Sequence, residues 1–101
     1  MSEKEIEEQL KIKVRRAGGT ALKFVSPGNS GVPDRVVILP GGKIGFVELK
    51  ASGKKLRPDQ RRQQERLKEL GCCVAVVDNA ETIDAIIRKI KEFDGDIIPL
   101  F

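Results

Sequence analysis

"GVPDRVVILPGGKIGFVELK", residues 31–50, places Asp34 at the mouth of the apolar run RVVIL and Glu48 and Lys50 at the end of the next one, with Pro40-Gly41-Gly42 between them. Two such runs joined by a proline and two glycines predict a β-hairpin. Side chains alternate along a strand, so Glu48 and Lys50 share one face with Phe46, while Val47 and Leu49 point to the other. The turn decides whether Asp34 joins them. A two-residue Gly41-Gly42 loop pairs position 34 with 49 and puts Asp34 on the wrong face. A three-residue loop or a bulge returns it to the register of 48 or 50, and two glycines, which accept positive φ cheaply, allow that odd-length turn.

Working outward, Ser2 and Glu5 form a capping-box pattern, and Ile6, Leu10, Val14 and Ala17 continue at helical spacing until Gly18-Gly19. TALKFV (20–25) is a short strand, SPGNSGVP (26–33) a loop, and residues 34–39 and 43–50 the hairpin strands. After the basic loop ASGKKLR, Pro58 opens a second helix that Gly71 ends. CCVAVV (72–77) reads as a buried strand, and Asn79 caps a last helix striped by Ile83, Ile86, Ile87, Ile90 and Phe93. The order helix, three strands, helix, strand, helix predicts a mixed α/β layer fold, with residues 1–101 as one domain.

Composition narrows the chemistry. The 101 residues are 40% apolar and 34% charged, with no histidine. Histidine-metal nucleases, zinc hydrolases and Ser-His or Cys-His nucleophile systems all need an imidazole, so carboxylates and lysine must carry any catalysis here. Oxygen ligands of that kind suit Mg2+ or Mn2+. Cys72 and Cys73 are adjacent and lack zinc spacing, which predicts reduced core residues. No apolar run approaches the roughly 20 residues of a membrane span, and the N-terminus is too acidic for a signal peptide, so the expected location is cytoplasmic.

The net charge of +4 is unevenly placed. Between Lys50 and Lys68, eight basic residues face two acids, directly after the hairpin. That concentration points to a polyanion partner gripped through its backbone by Lys54, Lys55, Arg57, Arg61 and Arg62. In helix one, Glu7 falls at roughly 100° from Ile6, on the edge of the buried stripe, whereas Glu5 and Glu8 point away. Glu3 falls within the stripe but in the first turn, so Glu7 is the preferred helix-one acid and Glu3 the reserve.

Pro33-Asp34, a spacer and Glu48-Leu49-Lys50 resemble the PD-(D/E)xK nuclease motif, and the stretch 31–50 resembles the VRR-NUC subgroup, including its small stand-alone bacterial and phage members. The resemblance runs from EKEIEEQL (3–10) through KKLRPDQ (54–60). It implies a restriction-endonuclease-like αβββαβ core, a mixed sheet flanked by helices, plus a C-terminal helix. It places metal-binding acids on Asp34 and Glu48, the helix-one glutamate on Glu7, the catalytic lysine on Lys50 and a following glutamine on Gln60. Glu7 precedes Gly18 by a spacing similar to that in the first helix of archaeal Holliday-junction resolvases.

The expected activity is metal-dependent DNA endonuclease action on branched duplex or Holliday junctions. Asp34, Glu48, the Leu49 carbonyl and Glu7 would hold the cation, and Lys50 and Gln60 would act beside it. The alternative is a nucleic-acid-binding module of the same fold that does not cut. A homodimer is expected from the need for two sites on a branched duplex and from the apolar tail DIIPLF (96–101), which can equally fold back on its own core.

Overall fold

The computed structural model of the chain describes residues 1–94. Its elements follow the expected order: α1 (Glu3–Arg16), β1 (Thr20–Lys23), β2 (Arg35–Leu39), β3 (Lys43–Leu49), α2 (Pro58–Glu69), β4 (Cys73–Val77) and α3 (Ile83–Glu92). The expectations for Ile97, Ile98, Leu100 and Phe101 lie outside the described residues.

The Ser2–Glu5 capping box forms as the spacing implies. The Glu5 amide donates to Ser2 Oγ at 3.2 Å, and the Ser2 amide donates to a Glu5 carboxylate oxygen at 3.3 Å. Two orphan donors of the first turn are thereby satisfied. The last helix starts later than its cap suggests. Asn79 Oδ1 accepts from the Thr82 amide at 3.0 Å and so caps a single 3-10 turn, Ala80–Thr82, that leads into α3.

The sheet runs β1-β2-β3-β4, with the first two pairings antiparallel and the last parallel. The parallel step needs a crossover, which α2 supplies. Ile6, Leu10 and Val14 of α1 and Ile83, Ile86, Ile87 and Ile90 of α3 cover one face, packing on Val37, Leu39, Val47, Leu49, Ala75 and Val77. Gly45 lies under α3, where a Cβ would stand 2.6 Å from the Ile90 side chain. The opposite face holds α2 against β4 and leaves Leu22 and Ile44 about half exposed.

The hairpin turn is the three-residue alternative. Leu39 pairs with Lys43, leaving Pro40, Gly41 and Gly42 as the loop, with Gly41 at φ 87° and Gly42 at φ 73°. Arg35 then pairs with Val47, which sets Asp34 opposite Glu48. The register turns on those two left-handed residues.

Candidate active site

Asp34 and Glu48 come together on the sheet face away from α1 and α3. Asp34 is held by its neighbours at both ends: its carbonyl accepts from the Phe24 amide at 2.9 Å, and its Oδ2 accepts from the Leu49 amide at 2.9 Å. Glu48 is 1% exposed, and both of its carboxylate oxygens are buried without a hydrogen-bond partner among the described residues. Burial, chiefly, and then the neighbouring Asp34 carboxylate, which favours a protonated Glu48 and repels an ionised one, push the Glu48 pKa up to about 8. Lys50 opposes the shift and Glu3 adds to it.

Lys50 follows the strand directly. Its amide donates to the Val77 carbonyl at 2.9 Å, which extends the β3–β4 ladder by one residue, and the residue is 9% exposed. A lysine whose stem is largely buried one pleat from a buried carboxyl is costly for a surface hairpin and useful where an anion must be met.

Helix one presents its acids differently from the sequence reading. Glu7 is engaged by Arg35, its carboxylate 3.1 Å from the guanidinium, while another Arg35 nitrogen donates to the Ala21 carbonyl at 3.1 Å. Arg35 alternates with Asp34 along the strand, so this pair belongs to the α1 side of the sheet. Glu7 therefore does not join Asp34 and Glu48. Glu3, the reserve, is the helix-one acid felt at Glu48, because Met1 and Ser52 tie the start of α1 to the segment after β3 through hydrogen bonds of 3.2 and 3.3 Å. Among the described residues, no three acidic, cysteine or histidine groups converge as a ready metal cage.

The basic residues Lys54, Lys55, Arg57, Arg61 and Arg62 are all exposed along the loop and α2. Arg57 feels the charges of Glu48 and Asp34, and its guanidinium is held by Asp59 at 3.2 and 3.4 Å. Gln60 is 6% exposed, and its side-chain oxygen accepts from the Arg57 amide at 2.9 Å. One turn on, Gln64 is equally buried, with its amide nitrogen unpartnered among the described residues. The sequence reading assigned no role to Gln64 or to Arg35. The available signals were two glutamines at i, i+4 on an inward face, and a cation at the mouth of a buried strand.

Orphaned buried oxygens are the feature of this pair that a divalent cation would explain, since two carboxylates and the adjacent Leu49 carbonyl are hard donors. The donor set fits Mg2+ or Mn2+.

A mixed sheet with two helices on one face, a crossover helix on the other and an acid pair at the hairpin mouth defines an α/β fold with a carboxylate-based site. Comparison assigns it. The model of the VRR-NUC domain matches residues 1–81. "Putative nuclease p44" of Acyrthosiphon pisum secondary endosymbiont phage 1 is 54% identical over 79 residues, spanning 78% of this chain and 85% of that protein. A solved structure titled "VRR_NUC domain" superposes with a TM-score of 0.79 at 34% identity, covering 87% of this chain and 97% of its own. The chain belongs to the VRR-NUC family.

Proposed function

We propose that this protein is a divalent-metal-dependent DNA endonuclease that acts on branched duplex as a homodimer. The observation that carries the reading is the Asp34–Glu48 pair, with the Glu48 oxygens buried and unpartnered. Family membership and the phage relative's name support hydrolysis of nucleic acid.

Asp34, Glu48 and the Leu49 carbonyl would hold Mg2+ or Mn2+. Bound there, the cation supplies Lewis acidity at the phosphate and offsets the charge of the carboxylates. Without a cation Glu48 keeps a proton near neutrality, and to serve as a ligand it would have to release that proton. Lys50 meets the attacking water and the phosphate oxygens, orienting the one and offsetting charge on the other. Water oxygen bonds to phosphorus and releases a proton to solvent, the phosphorus–oxygen bond to the sugar breaks, and the departing oxygen takes a proton from solvent, so that one water is consumed per bond cut. Arg57, pinned by Asp59, adds a fixed positive group at the mouth of the site. Gln60, its oxygen committed to the start of α2, keeps its amide NH2 for Lys50 or for a phosphate.

The homodimer draws on the open sheet face, where Leu22 and Ile44 are each 49% exposed and Phe24 and Phe46, their rings tilted at 48° with centroids 5.5 Å apart, lie half-buried on the same face. A second copy is the occupant proposed for it, because two cuts on a branched duplex call for two sites at fixed separation. A non-cutting module is the second reading. It draws on the lack of a third converging acid among the described residues. Incubation of the protein with labelled linear, flapped and four-way DNA, with Mg2+, Mn2+ or EDTA, tests the choice. Metal-dependent cutting of the branched substrates is expected, and binding without cutting on every substrate would assign the module instead.

A further inference from the structure

A cleft of about 480 Å³ opens between the turn that precedes β2 and the exposed side of α2, the helix that begins next to Arg57. Asn29 and Ser30 form one wall, and Arg62, Gln63 and Arg66 form the other.

The turn is built rather than loose. Its Asn29 amide donates to the Ser26 carbonyl at 3.1 Å across Pro27-Gly28, with Gly28 at φ 82°, the signature of a type II turn. Asn29 Nδ2 closes it with a 2.9 Å bond to Ser26 Oγ. It is also fastened to the helix. Gln63 Nε2 donates to the Ser30 carbonyl at 3.2 Å, and Gly31 lies so close to α2 that a Cβ there would stand 2.6 Å from the Asp59 backbone.

The charge in this cleft is one-sided. Arg62 and Arg66 are exposed, one helical turn apart, and make no ion pair among the described residues. The one acid in the lining, Asp59, is already matched by Arg57. The basic cleft at the far ends of α1 and α3 differs, because there Lys13, Arg16, Arg88 and Lys91 are interleaved with Asp84 and Glu92, and Lys13 is bonded to Asp84 at 3.1 Å.

We infer that the cleft between the 26–31 turn and α2 is a phosphate-binding subsite, which seats the backbone of a duplex DNA arm and sets the distance from that arm to the acid pair. From Arg57, beside the acids, to Arg66 the helix advances roughly 13 Å at 1.5 Å per residue, over which B-DNA advances about four base pairs at 3.4 Å each. Arg62 and Arg66 offer guanidinium forks to phosphate oxygens, and the fastened turn walls the groove so that the arm cannot slide across the helix. The contacts read no sequence; they position. The inference rests on the nuclease reading and adds Arg66 and the turn to it.

Fluorescence anisotropy with a labelled blunt duplex in EDTA, across a salt series, tests it on the full chain. Arg62→Ala/Arg66→Ala should weaken binding about tenfold or more and lower the salt slope by about two, since each lost phosphate contact removes about 0.9. Ser30→Asp, which places an anion in the cleft from the opposite wall, should weaken binding as well, whereas Arg16→Ala/Arg88→Ala should leave affinity and slope near wild type. On the substrate that is cut, the cleft double variant should raise KM with kcat nearly intact. Wild-type affinity and slope in the cleft double variant, an unaltered Ser30→Asp, or an equal loss in the Arg16/Arg88 variant would each overturn the subsite while leaving a cutting enzyme in place. A wild-type chain that neither binds nor cuts DNA would overturn the nuclease reading and the subsite together.

Discussion

At the scale of single residues, the proposed chemistry depends on two neighbouring carboxyls, Glu48 buried and Asp34 half-buried. Asp34→Ala or Glu48→Ala should abolish cleavage while the fold survives, because each removes a ligand and relieves like-charge repulsion. Circular dichroism paired with a junction-cleavage assay checks both halves, and full activity in either variant would remove it from the site. Lys50→Ala should still bind cation, seen by calorimetry, yet cut slowly. Glu48 also sets a pH dependence. Its folded-state pKa of about 8 lies above the ordinary carboxylate range, so between roughly pH 4.5 and 8 the native state keeps a proton that the unfolded chain has released. Stability from this group is therefore present at low pH and is lost as pH rises through that window. In EDTA, Glu48→Gln should melt close to wild type at pH 5 and above it at pH 9, with a gap on the order of a few kcal/mol. A constant gap across that range would show that Glu48 does not titrate there.

Among the elements, α3 and β3 are locked where Gly45 lies under Ile90. Gly45→Ala forces the Ile90 side chain aside and should cost about 1–3 kcal/mol by urea denaturation. Combined with Ile90→Ala, which vacates that space, it should cost less than the two single changes together. Strict additivity would mean that the helix has shifted instead. Helix α2 is the element with the least ordinary inner face. Gln60 and Gln64 point inward where a purely structural crossover would carry leucines, and Gln60 fastens the start of the helix beside Arg57. The same helix thus starts next to Arg57, within reach of the charges of Glu48 and Asp34, and carries Arg62 and Arg66 on its exposed side.

For the whole molecule, the open side of the sheet matters most. Leu22 and Ile44 lie on one face with Phe24 and Phe46, and among the described residues nothing but α2, over β4, covers that face. Sedimentation at micromolar concentration should give a dimer for the wild type and a monomer for Leu22→Glu/Ile44→Glu, with the variant losing paired cuts on a four-way junction. A wild-type monomer that still cuts junctions symmetrically would defeat the dimer. No helix among the described residues is long and apolar enough to cross a membrane.

Much of this molecule was legible in its sequence because the relevant signals are local. Helical and strand periodicity, the Ser2–Glu5 cap and the glycine stops set the order of elements, and Asp34, Glu48 and Lys50 in a chain without histidine suggested the carboxylate chemistry proposed above. Two matters lay beyond local signals. The hairpin register was one, since Pro40-Gly41-Gly42 permits loops of either parity and only the paired sheet selects the one that sets Asp34 opposite Glu48. The partner of Glu7 was the other. A helical angle places that side chain at the edge of the buried stripe but says nothing of Arg35, which the fold brings from 28 residues along the chain to take it up, leaving Glu3 as the helix-one acid whose charge reaches Glu48. Periodicity is a property of neighbours along the chain, whereas register and ion pairing are decided between segments, and only the tertiary structure brings those segments together.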